Sequence, residues 1–230
     1  VFGILERDPR CLGGAIAVPY KETIFKLIKD QLHENVKQIG AVNCFYKQTK
    51  ESKNKFTGTN TDGEAALDPI YNLISNGPVT IAILGFGGAG KAVLSFLLKD
   101  FHKENTIYLL NRTKPEEIDP NIEFKTLNAD NLKATIPYVD LLINTTSVGS
   151  KLSKKQSPVP IELISLIKKS AVVYDIIYDP KRTELLEKAN EIGLKTINGL
   201  RMNMVQAVLA YGYTNETSLT QDEIMQIMSE

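Results

Sequence analysis

Three glycines near the middle of the chain have the spacing that lets a backbone wrap around an anion. Gly85, Gly87 and Gly90 form the pattern Gly-x-Gly-x-x-Gly within GFGGAG. In such a pattern the first glycine makes a tight turn, the second admits a pyrophosphate beside the backbone, and the third lets a helix pack closely on a strand. N–H groups at the helix start then face the negative charge. We expect a dinucleotide-binding turn here, with a merely flexible turn as the alternative.

The segments around these glycines follow the strand–turn–helix order that such a turn requires. Residues 79–84 (VTIAIL) form a short apolar run, which is typical of a buried parallel strand. Apolar residues then recur at helical spacing from Lys91 to Phe101, and Ile107 to Leu110 predict a second strand. This context favours the dinucleotide interpretation, in which Gly88 and Ala89 also contact the ligand.

The residues that follow the second predicted strand indicate which dinucleotide binds. Sites for NAD usually place an Asp or Glu there, where it binds the ribose 2′-hydroxyl. This chain has Asn111, Arg112 and Thr113 instead. Because a guanidinium can form paired hydrogen bonds with a 2′-phosphate, we predict NADP as the cofactor, held there by these three residues. The alternative for Arg112 is a solvated arginine in a turn.

The composition bounds the class of protein. Of 230 residues, 43% are hydrophobic and 23% are charged, and Lys plus Arg equals Asp plus Glu at 27 each. This balance gives no global charge that would favour nucleic acid or a membrane surface. We expect neither a signal peptide nor a membrane span, because the sequence contains no apolar run of about 18 residues. Cys11 and Cys44 give neither a metal-ligand spacing nor a disulfide framework, so we expect a cytoplasmic protein without a metal.

Three polar side chains in the N-terminal part lie where predicted strands and helices meet. Lys21 lies between a strand and a helix, Asn43 interrupts a strand predicted over 39–46, and Asp62 precedes a helix. Spacing alone favours ordinary roles, namely a solvated lysine, an asparagine bonded to local backbone and a helix N-cap. The lysine-rich run 47–55 predicts the tip of a hairpin.

From residue 79 onward the pattern alternates strands and helices, as a doubly wound α/β domain requires. A breaker cluster at 76–78 ends a connecting helix that begins near residue 63. The strand at 141–146 ends in polar residues, and such strand ends line the crevice where an open α/β sheet binds its ligand. We expect Thr145 and Thr146 to touch the cofactor, or else only to cap the strand. Further strands are predicted at 13–18, 122–127, 171–178 and 195–197, and further helices at 23–30, 161–169, 183–192 and 201–212.

Eight short motifs follow one another in a fixed order. They are PYKE (19–22), IGAVN (39–43), NTDG (60–63), GFGGAG (85–90), NRT (111–113), NTT (144–146), DIIYDP (175–180) and NGL (198–200) with its continuation to Gln206. Any one of them is weak, but together they cover nearly all of the chain from residue 13. A sequence that carries them in this order resembles the shikimate dehydrogenase family, including its quinate/shikimate branch.

The resemblance implies a doubly wound NADP-binding Rossmann domain plus a smaller α/β substrate domain. The implied boundaries are 1–66 with 201–230 for the substrate domain and 67–200 for the dinucleotide-binding domain. The implied reaction is the NADP-dependent interconversion of 3-dehydroshikimate and shikimate, within aromatic amino-acid and chorismate biosynthesis. A dehydrogenase for quinate or an analogue, and a non-catalytic NADP-binding relative, are the alternatives. The partner would be a hydroxylated cyclic carboxylic acid, and the protein a monomer or homodimer.

The resemblance also assigns roles to residues. It places proton transfer on Lys21 and Asp62, and since a neighbouring carboxylate favours a charged lysine, we expect a proton relay from Lys21 with Asp62 orienting it. Substrate contacts are expected from Asn43, Tyr178 and Gln206, and contacts near the nicotinamide from Gly199 and Met202. From the pattern alone, Gln206 is a helix-surface residue and Met202 fills the core.

Several positions depart from the family pattern, which has G-x-N-V-T-x-P-x-K before the lysine. Ala15 and Ala17 stand at the Asn and Thr positions, and a substrate group left unpaired there would cost about 1–3 kcal/mol. Arg201 replaces a usual glycine, so it would either anchor an anion or point to solvent. The Ser-x-Ser pair that holds the substrate carboxylate in the family is missing from residues 1–12, and the sequence starts without Met. We expect either a missing N-terminal segment or a trimmed relative.

Overall fold

The computed structural model describes residues 2–17, 19–47, 55–101, 105–153, 155–215 and 217–229. In its N-terminal part, a three-stranded antiparallel sheet has the order β1, β2, β3. The strands pair in register, with Ala15 opposite Cys44 and Cys44 opposite Thr59. The elements of this part are α1 (Phe2–Arg7), β1 (Gly13–Ala15), α2 (Lys21–Leu27), a 3₁₀ turn (Glu34–Val36), β2 (Cys44–Lys47) and β3 (Phe56–Thr59). The hairpin tip predicted between β2 and β3 falls mainly on 48–54, which lie outside the described residues.

The strand predicted over 39–46 begins only at Cys44, so that prediction was wrong in its first half. Gly40 adopts a φ of +69°, a left-handed conformation, and its N–H donates to Val36 O at 3.1 Å, so a turn occupies the place of the first half of the predicted strand. The residues after it bond to other segments, since Val42 N donates to Lys21 O at 3.0 Å and Asn43 N donates to Thr59 O at 3.2 Å. This path brings Asn43 beside both the start of α2 and the end of β3. The strand predicted over 13–18 is likewise confined to β1, and Val18 lies outside the described residues.

The connection between the two sheets is a broken helix rather than the single helix predicted. It consists of α3 (Asp62–Leu67), a 3₁₀ turn (Asp68–Ile70) and α4 (Tyr71–Ser75). Pro69 lies within the 3₁₀ turn, and proline has no backbone N–H and clashes with the preceding helical turn. The α-helix therefore ends at Leu67, and a 3₁₀ turn leads into α4.

The second sheet has six parallel strands in the order β6-β5-β4-β7-β8-β9 within the described residues. This is a doubly wound order, and the predicted fold class is confirmed. Its ligand crevice is expected at the carboxyl ends of β4 and β7, where the order reverses. The elements are β4 (Thr80–Leu84), α5 (Gly88–Phe101), β5 (Thr106–Asn111), β6 (Ile122–Thr126), α6 (Ala129–Thr135), β7 (Leu141–Asn144), α7 (Ile161–Ile164), β8 (Val172–Asp175), α8 (Glu184–Glu191) and β9 (Lys195–Ile197).

The helix predicted over 161–169 ends at Ile164. Leu166 N bonds to Leu163 O and Ile167 N bonds to Ile164 O, so the chain tightens into turns that span three residues. These turns carry Ile167 into the core, where it is buried. The helical pattern read from the sequence therefore arises from core contacts that are made without a continuous helix.

Two final helices complete the fold, α9 (Leu200–Thr214) and α10 (Gln221–Ser229). α9 leaves the six-stranded sheet and contacts β1, β2 and α3. One hydrophobic cluster joins Ile83 of the sheet, Ala66 of α3 and Met202 of α9, and a second cluster fills the opposite face of the sheet under α6 to α8. Burying a large aliphatic side chain stabilises a fold by about 1.5–3 kcal/mol, so α9 is held firmly between the two sheets. No helix in the described ranges is long and apolar enough to cross a membrane.

Candidate active site

Lys21 and Asp62 lie in contact although 41 positions separate them in sequence. Lys21 Nζ is 2.6 Å from Asp62 Oδ2, and the two side chains are 18% and 7% exposed. Lys21 begins α2 and Asp62 begins α3, so the pair forms where two helix starts meet. Asp62 lies in the first turn of α3, where a carboxylate interacts favourably with the helix dipole.

Asn43 holds the second oxygen of Asp62. Its Nδ2 donates to Asp62 Oδ1 at 2.8 Å and to Thr61 Oγ1 at 2.9 Å, and its Oδ1 accepts from Thr61 N at 2.9 Å. Asn43 is 3% exposed. Its amide is thus engaged inside the protein and fixes the orientation of the carboxylate. The expected contact between Asn43 and a substrate stays a prediction.

Two residues to which the sequence assigned no role complete this arrangement. Asn60 Oδ1 accepts from Asp62 N at 3.0 Å, and Asn60 Nδ2 donates to Ala41 O at 2.9 Å. Thr61 Oγ1 donates to the backbone oxygen of Gln206 at 3.1 Å, which ties α9 to the site. Their signal in the sequence was a polar run after β3. The side chain of Gln206 itself donates to Asn203 O of its own helix at 3.1 Å.

The glycine-rich turn has the geometry that its spacing predicted. Gly85 has a φ of +96° and its N–H donates to Leu110 O at 2.8 Å. A Cβ added to Gly90 would lie 2.5 Å from Gly85 O, whereas a Cβ on Gly87 would meet no atom within 4 Å. The turn is therefore tight at its start, closely packed at its end and open in the middle, with α5 beginning at Gly88. This shape fits a pyrophosphate at Gly87, close to the N–H groups of the helix start.

The same turn borders the Lys21–Asp62 pair. A Cβ on Gly88 would lie 3.6 Å from Ala41 Cβ and 3.9 Å from Lys21 Cδ. One residue beyond the last glycine, Lys91 Nζ lies 3.0 Å from Glu22 Oε1, next to Lys21 in sequence. The structure thus brings the predicted cofactor turn and the predicted proton-transfer pair to the same cleft between the two sheets.

The predicted 2′-phosphate site lies at the end of β5. Arg112 and Thr113 are exposed, and Arg112 has no hydrogen-bond or ion-pair partner among the described residues. Asn111 Nδ2 donates to Thr113 O at 2.8 Å and so closes the turn behind the arginine. The guanidinium is therefore available for a phosphate, while the asparagine amide is used in shaping the turn.

The two threonines after β7 contact the glycine-rich turn from the neighbouring strand. Thr145 Oγ1 bonds to Leu84 O at 2.8 Å and to Gly85 O at 3.0 Å. Thr146 N and Oγ1 both donate to Asn144 Oδ1, at 3.0 and 2.7 Å. Thr145 is buried and Thr146 partly exposed. Thr145 therefore tethers the glycine-rich turn to the end of β7. A direct contact of either threonine with a cofactor stays a prediction.

The remaining predicted contacts lie on the other side of the crevice. A Cβ on Gly199 would collide with Ile176 O, so only glycine fits at the start of α9. Met202 is buried in the core that joins the two sheets, while Tyr178, which follows β8, is 50% exposed. The roles of these three residues toward the nicotinamide and the substrate stay predictions.

The residues that depart from the family pattern have clear positions. Ala15 and Ala17 are exposed on the backbone that leads to Lys21. Arg201 forms an ion pair with Asp68, since its Nε lies 2.6 Å from Asp68 Oδ2 and its Nη2 lies 3.1 Å from Asp68 Oδ1. Both expectations for Arg201, an anchor for an external anion and a side chain that points to solvent, were therefore wrong. These hydrogen bonds raise the pKa of Arg201. This ion pair joins α9 to the 3₁₀ turn after α3. These are the two segments by which the chain passes between the two sheets.

The fold and the site together define a dinucleotide-binding α/β protein with a lysine–aspartate pair at its cofactor cleft. Among the described residues, no group of three or more His, Cys, Asp or Glu side chains could hold a metal ion. No protein-family model matches the chain. Known proteins do match it over most of its length.

A shikimate dehydrogenase (NADP(+)) from Thermococcus kodakarensis is 33% identical over 223 residues, which cover 94% of this chain and 76% of the relative. The crystal structure of shikimate dehydrogenase from Aquifex aeolicus superposes with a TM-score of 0.76 at 32% identity, covering 95% of this chain and 77% of that one. The Thermus thermophilus enzyme in complex with NADP(H) and shikimate gives a TM-score of 0.77 at 25% identity, covering 98% and 82%. The chain belongs to the shikimate dehydrogenase family.

Proposed function

We propose that this protein is an NADP-dependent oxidoreductase that interconverts 3-dehydroshikimate and shikimate, a step of aromatic amino-acid and chorismate biosynthesis. The observation that carries the proposal is the 2.6 Å contact between Lys21 Nζ and Asp62 Oδ2 beside the glycine-rich turn. The names of the matched relatives, shikimate dehydrogenase (NADP(+)), support the same reaction and the same cofactor.

Two domains divide this work. We assign residues 1–66 and 201–230 to the substrate domain and residues 67–200 to the dinucleotide-binding domain. In support, all six parallel strands fall between Thr80 and Ile197, and α9 returns to contact β1 and β2. The cleft between the domains then contains both the glycine-rich turn and the Lys21–Asp62 pair. A location in the cytoplasm and a monomeric or homodimeric state stay predictions.

The residues present fit NADP. Its pyrophosphate would lie at the open backbone around Gly87, and the exposed Arg112 would bind its 2′-phosphate in paired hydrogen bonds. Gly199 and Met202 would lie near its nicotinamide ring. When bound, NADP supplies or accepts the hydride.

The protein's own task is to orient the substrate and to move one proton. Reduction of a ring ketone to an alcohol requires a proton on the oxygen, and Lys21 Nζ is the donor that we assign to it. Asp62 Oδ2 orients that ammonium, while Asn43 holds Asp62 through its other oxygen. In the reverse direction Lys21 Nζ accepts the proton from the alcohol. A positioned acid or base of this kind accelerates a reaction by about 10²–10⁴-fold.

The substrate contacts that we assign are Tyr178, Gln206 and Asn43. Tyr178 is the most accessible of the three, being half-exposed beside the crevice. Gln206 joins the site through its backbone oxygen, so its side chain would have to leave Asn203 to reach a substrate hydroxyl. Ala15 and Ala17 offer no hydrogen bond at the two positions where the family usually has polar side chains.

The test is the formation of NADPH by the purified protein with NADP⁺ and, in parallel, shikimate, quinate or no acid. The expected result is turnover with shikimate that falls by about 10²–10⁴-fold in Lys21→Met. Turnover with quinate alone would replace the substrate, and NADP⁺ binding without any turnover would favour a non-catalytic relative.

A further inference from the structure

A buried carboxylate that the proposed chemistry does not use lies beneath the cofactor crevice. Asp175 ends β8 and is 0% exposed, as is Asn144 at the end of β7. Asp175 accepts three hydrogen bonds, from Asn144 Nδ2 at 3.0 Å, from Ile177 N at 3.1 Å and from Thr183 Oγ1 at 2.7 Å. A buried charge persists only where such partners compensate its lost hydration.

The two oxygens of Asp175 serve different parts of the fold. Oδ1 accepts from Asn144 on one flank of the crevice and from Ile177 on the other. Ile177 O in turn accepts from Gly199 N at 3.1 Å, just before α9. Oδ2 accepts from Thr183, which is the N-cap of α8. One oxygen therefore joins the two flanks of the crevice, and the other supports a helix cap.

Asn144 links Asp175 to the glycine-rich turn through hydrogen bonds. An ionised carboxylate only accepts hydrogen bonds, so the amide nitrogen of Asn144 must face Asp175 and its oxygen must face the opposite way. That oxygen accepts from both N and Oγ1 of Thr146. A Cβ on Gly85 would lie 2.8 Å from Thr146 Cγ2, so Thr146 packs directly against the turn.

We propose that Asp175 and Asn144 are positioning residues of the oxidoreductase, whose shared hydrogen bond holds Thr146 against Gly85 and thereby sets the shape of the NADP crevice. Both residues are fully buried and act through others. The inference rests on the proposed NADP-dependent function. Within that function, the buried hydrogen bonds of Asp175 and Asn144 support the turn that binds the pyrophosphate.

Two isosteric substitutions, one on each side of this hydrogen bond, are expected to weaken NADP⁺ binding to different extents. Asn144→Asp replaces the donor with an oxygen that faces Asp175, so the dissociation constant for NADP⁺ is expected to rise about tenfold or more. Asp175→Asn keeps an acceptor for Asn144 and Ile177, while the Thr183 hydroxyl turns to accept from the new amide. Because Asp175→Asn alters only the bond on the Oδ2 side, its dissociation constant for NADP⁺ is expected to rise less than that of Asn144→Asp.

Thr183→Val is the matched control, because it removes the hydroxyl on the Oδ2 side together with the cap of α8. It is expected to lower the melting temperature while leaving the affinity for NADP⁺ unchanged. NADP⁺ is titrated calorimetrically into the full chain without any acid substrate, and thermal melts are recorded on the same samples. Binding and stability are therefore read separately for each variant.

The outcomes separate this inference from the proposed function. If Asn144→Asp binds NADP⁺ like the wild type while the wild type turns over shikimate, the positioning role is wrong and the function stands. A wild type that binds no NADP⁺ overturns both. If Asn144→Asp does not fold, Thr146→Val at a partly exposed residue removes the side-chain hydrogen bond to Asn144 Oδ1 and leaves only the bond from Thr146 N. That variant is expected to bind NADP⁺ more weakly, and unchanged affinity would count against the proposal.

Discussion

Lys21 Nζ lies 2.6 Å from Asp62 Oδ2, and the stem of the same lysine lies beside Gly88 of the glycine-rich turn. A single side chain therefore binds the acidic partner that orients it and also lies next to the loop assigned to the cofactor. This position decides which substitution separates proton transfer from cofactor binding. Lys21→Ala would remove the stem that borders Gly88 together with the ammonium, so changes in cofactor binding and in proton transfer would be mixed.

Lys21→Met keeps the stem and removes only the charge and the proton. We expect kcat for shikimate oxidation to fall by about 10²–10⁴-fold, the range typical of a positioned acid–base group. The affinity for NADP⁺ is expected to change little, because the methionine still packs beside Gly88. Steady-state kinetics and NADP⁺ titration of the same preparation check this. A kcat equal to that of the wild type would remove Lys21 from the mechanism.

Arg112→Ala is expected to weaken NADP⁺ binding selectively. Hydrogen bonds to charged groups contribute about 1.5–3 kcal/mol, which corresponds to about 10–150-fold in the dissociation constant. Binding of NAD⁺, which lacks the 2′-phosphate, is expected to stay unchanged, and so is the melting temperature, because Arg112 has no partner within the described ranges. The two dinucleotides are titrated in parallel, with Lys133→Ala of α6 as the control for loss of an exposed cation. Equal losses for both dinucleotides would contradict the assignment.

The sequence predicted those parts of the site that depend on local backbone. The glycine spacing required a tight start, an open middle and a packed end, and Gly85, Gly87 and Gly90 have these properties. The alternation of strands and helices likewise predicted the doubly wound sheet, because burial on both faces leaves continuous apolar runs.

Contacts between distant segments could not be predicted from spacing. The pairing of Lys21 with Asp62 depends on the path of residues 40–43, which the positive φ of Gly40 turns away from a strand. From the sequence, Arg201 was a candidate for binding an external anion, but in the structure its anionic partner is the side chain of Asp68. The buried network of Asp175 and Asn144 was visible only as two polar residues at the ends of apolar strands. Which atoms they join depends on strand order, and strand order is a property of the whole sheet.

Substitution by alanine is expected to lower stability at Gly90 and to weaken NADP⁺ binding at Gly87. Gly90→Ala places a methyl 2.5 Å from Gly85 O and 2.8 Å from Thr145 Oγ1, and such overpacking costs about 1–3 kcal/mol of unfolding free energy. Gly87→Ala places its methyl in open space, so stability is expected to stay within about 0.5 kcal/mol of the wild type. The Gly87 methyl lies where the pyrophosphate approaches, so NADP⁺ binding is expected to weaken there. Chemical denaturation and NADP⁺ titration of both variants decide this, and unaltered NADP⁺ affinity in Gly87→Ala would move the pyrophosphate elsewhere.

Asp175 predicts a dependence of stability on pH. Burial raises its pKa to about 6 from an ordinary 3.8, although hydrogen bonds from Thr183, Ile177 and Asn144 lower it in part. Because the folded-state pKa lies above the unfolded one, the stabilising contribution is fully present below pH 3.8 and is lost as the pH rises through about 6. A difference of about two pKa units corresponds to about 3 kcal/mol of unfolding free energy.

Other carboxyls titrate in the same range, so the test compares the wild type with Asp175→Asn, which cannot ionise at this position. Asp8 and Asp140, whose pKa values are lowered by Arg10 and by Lys168 with Thr80, contribute equally to both proteins. Urea unfolding between pH 4 and 7.5 is expected to show the wild type losing stability relative to Asp175→Asn as the pH rises. Parallel curves would mean that Asp175 has an ordinary pKa in the folded protein, and that its three hydrogen bonds fully compensate its burial.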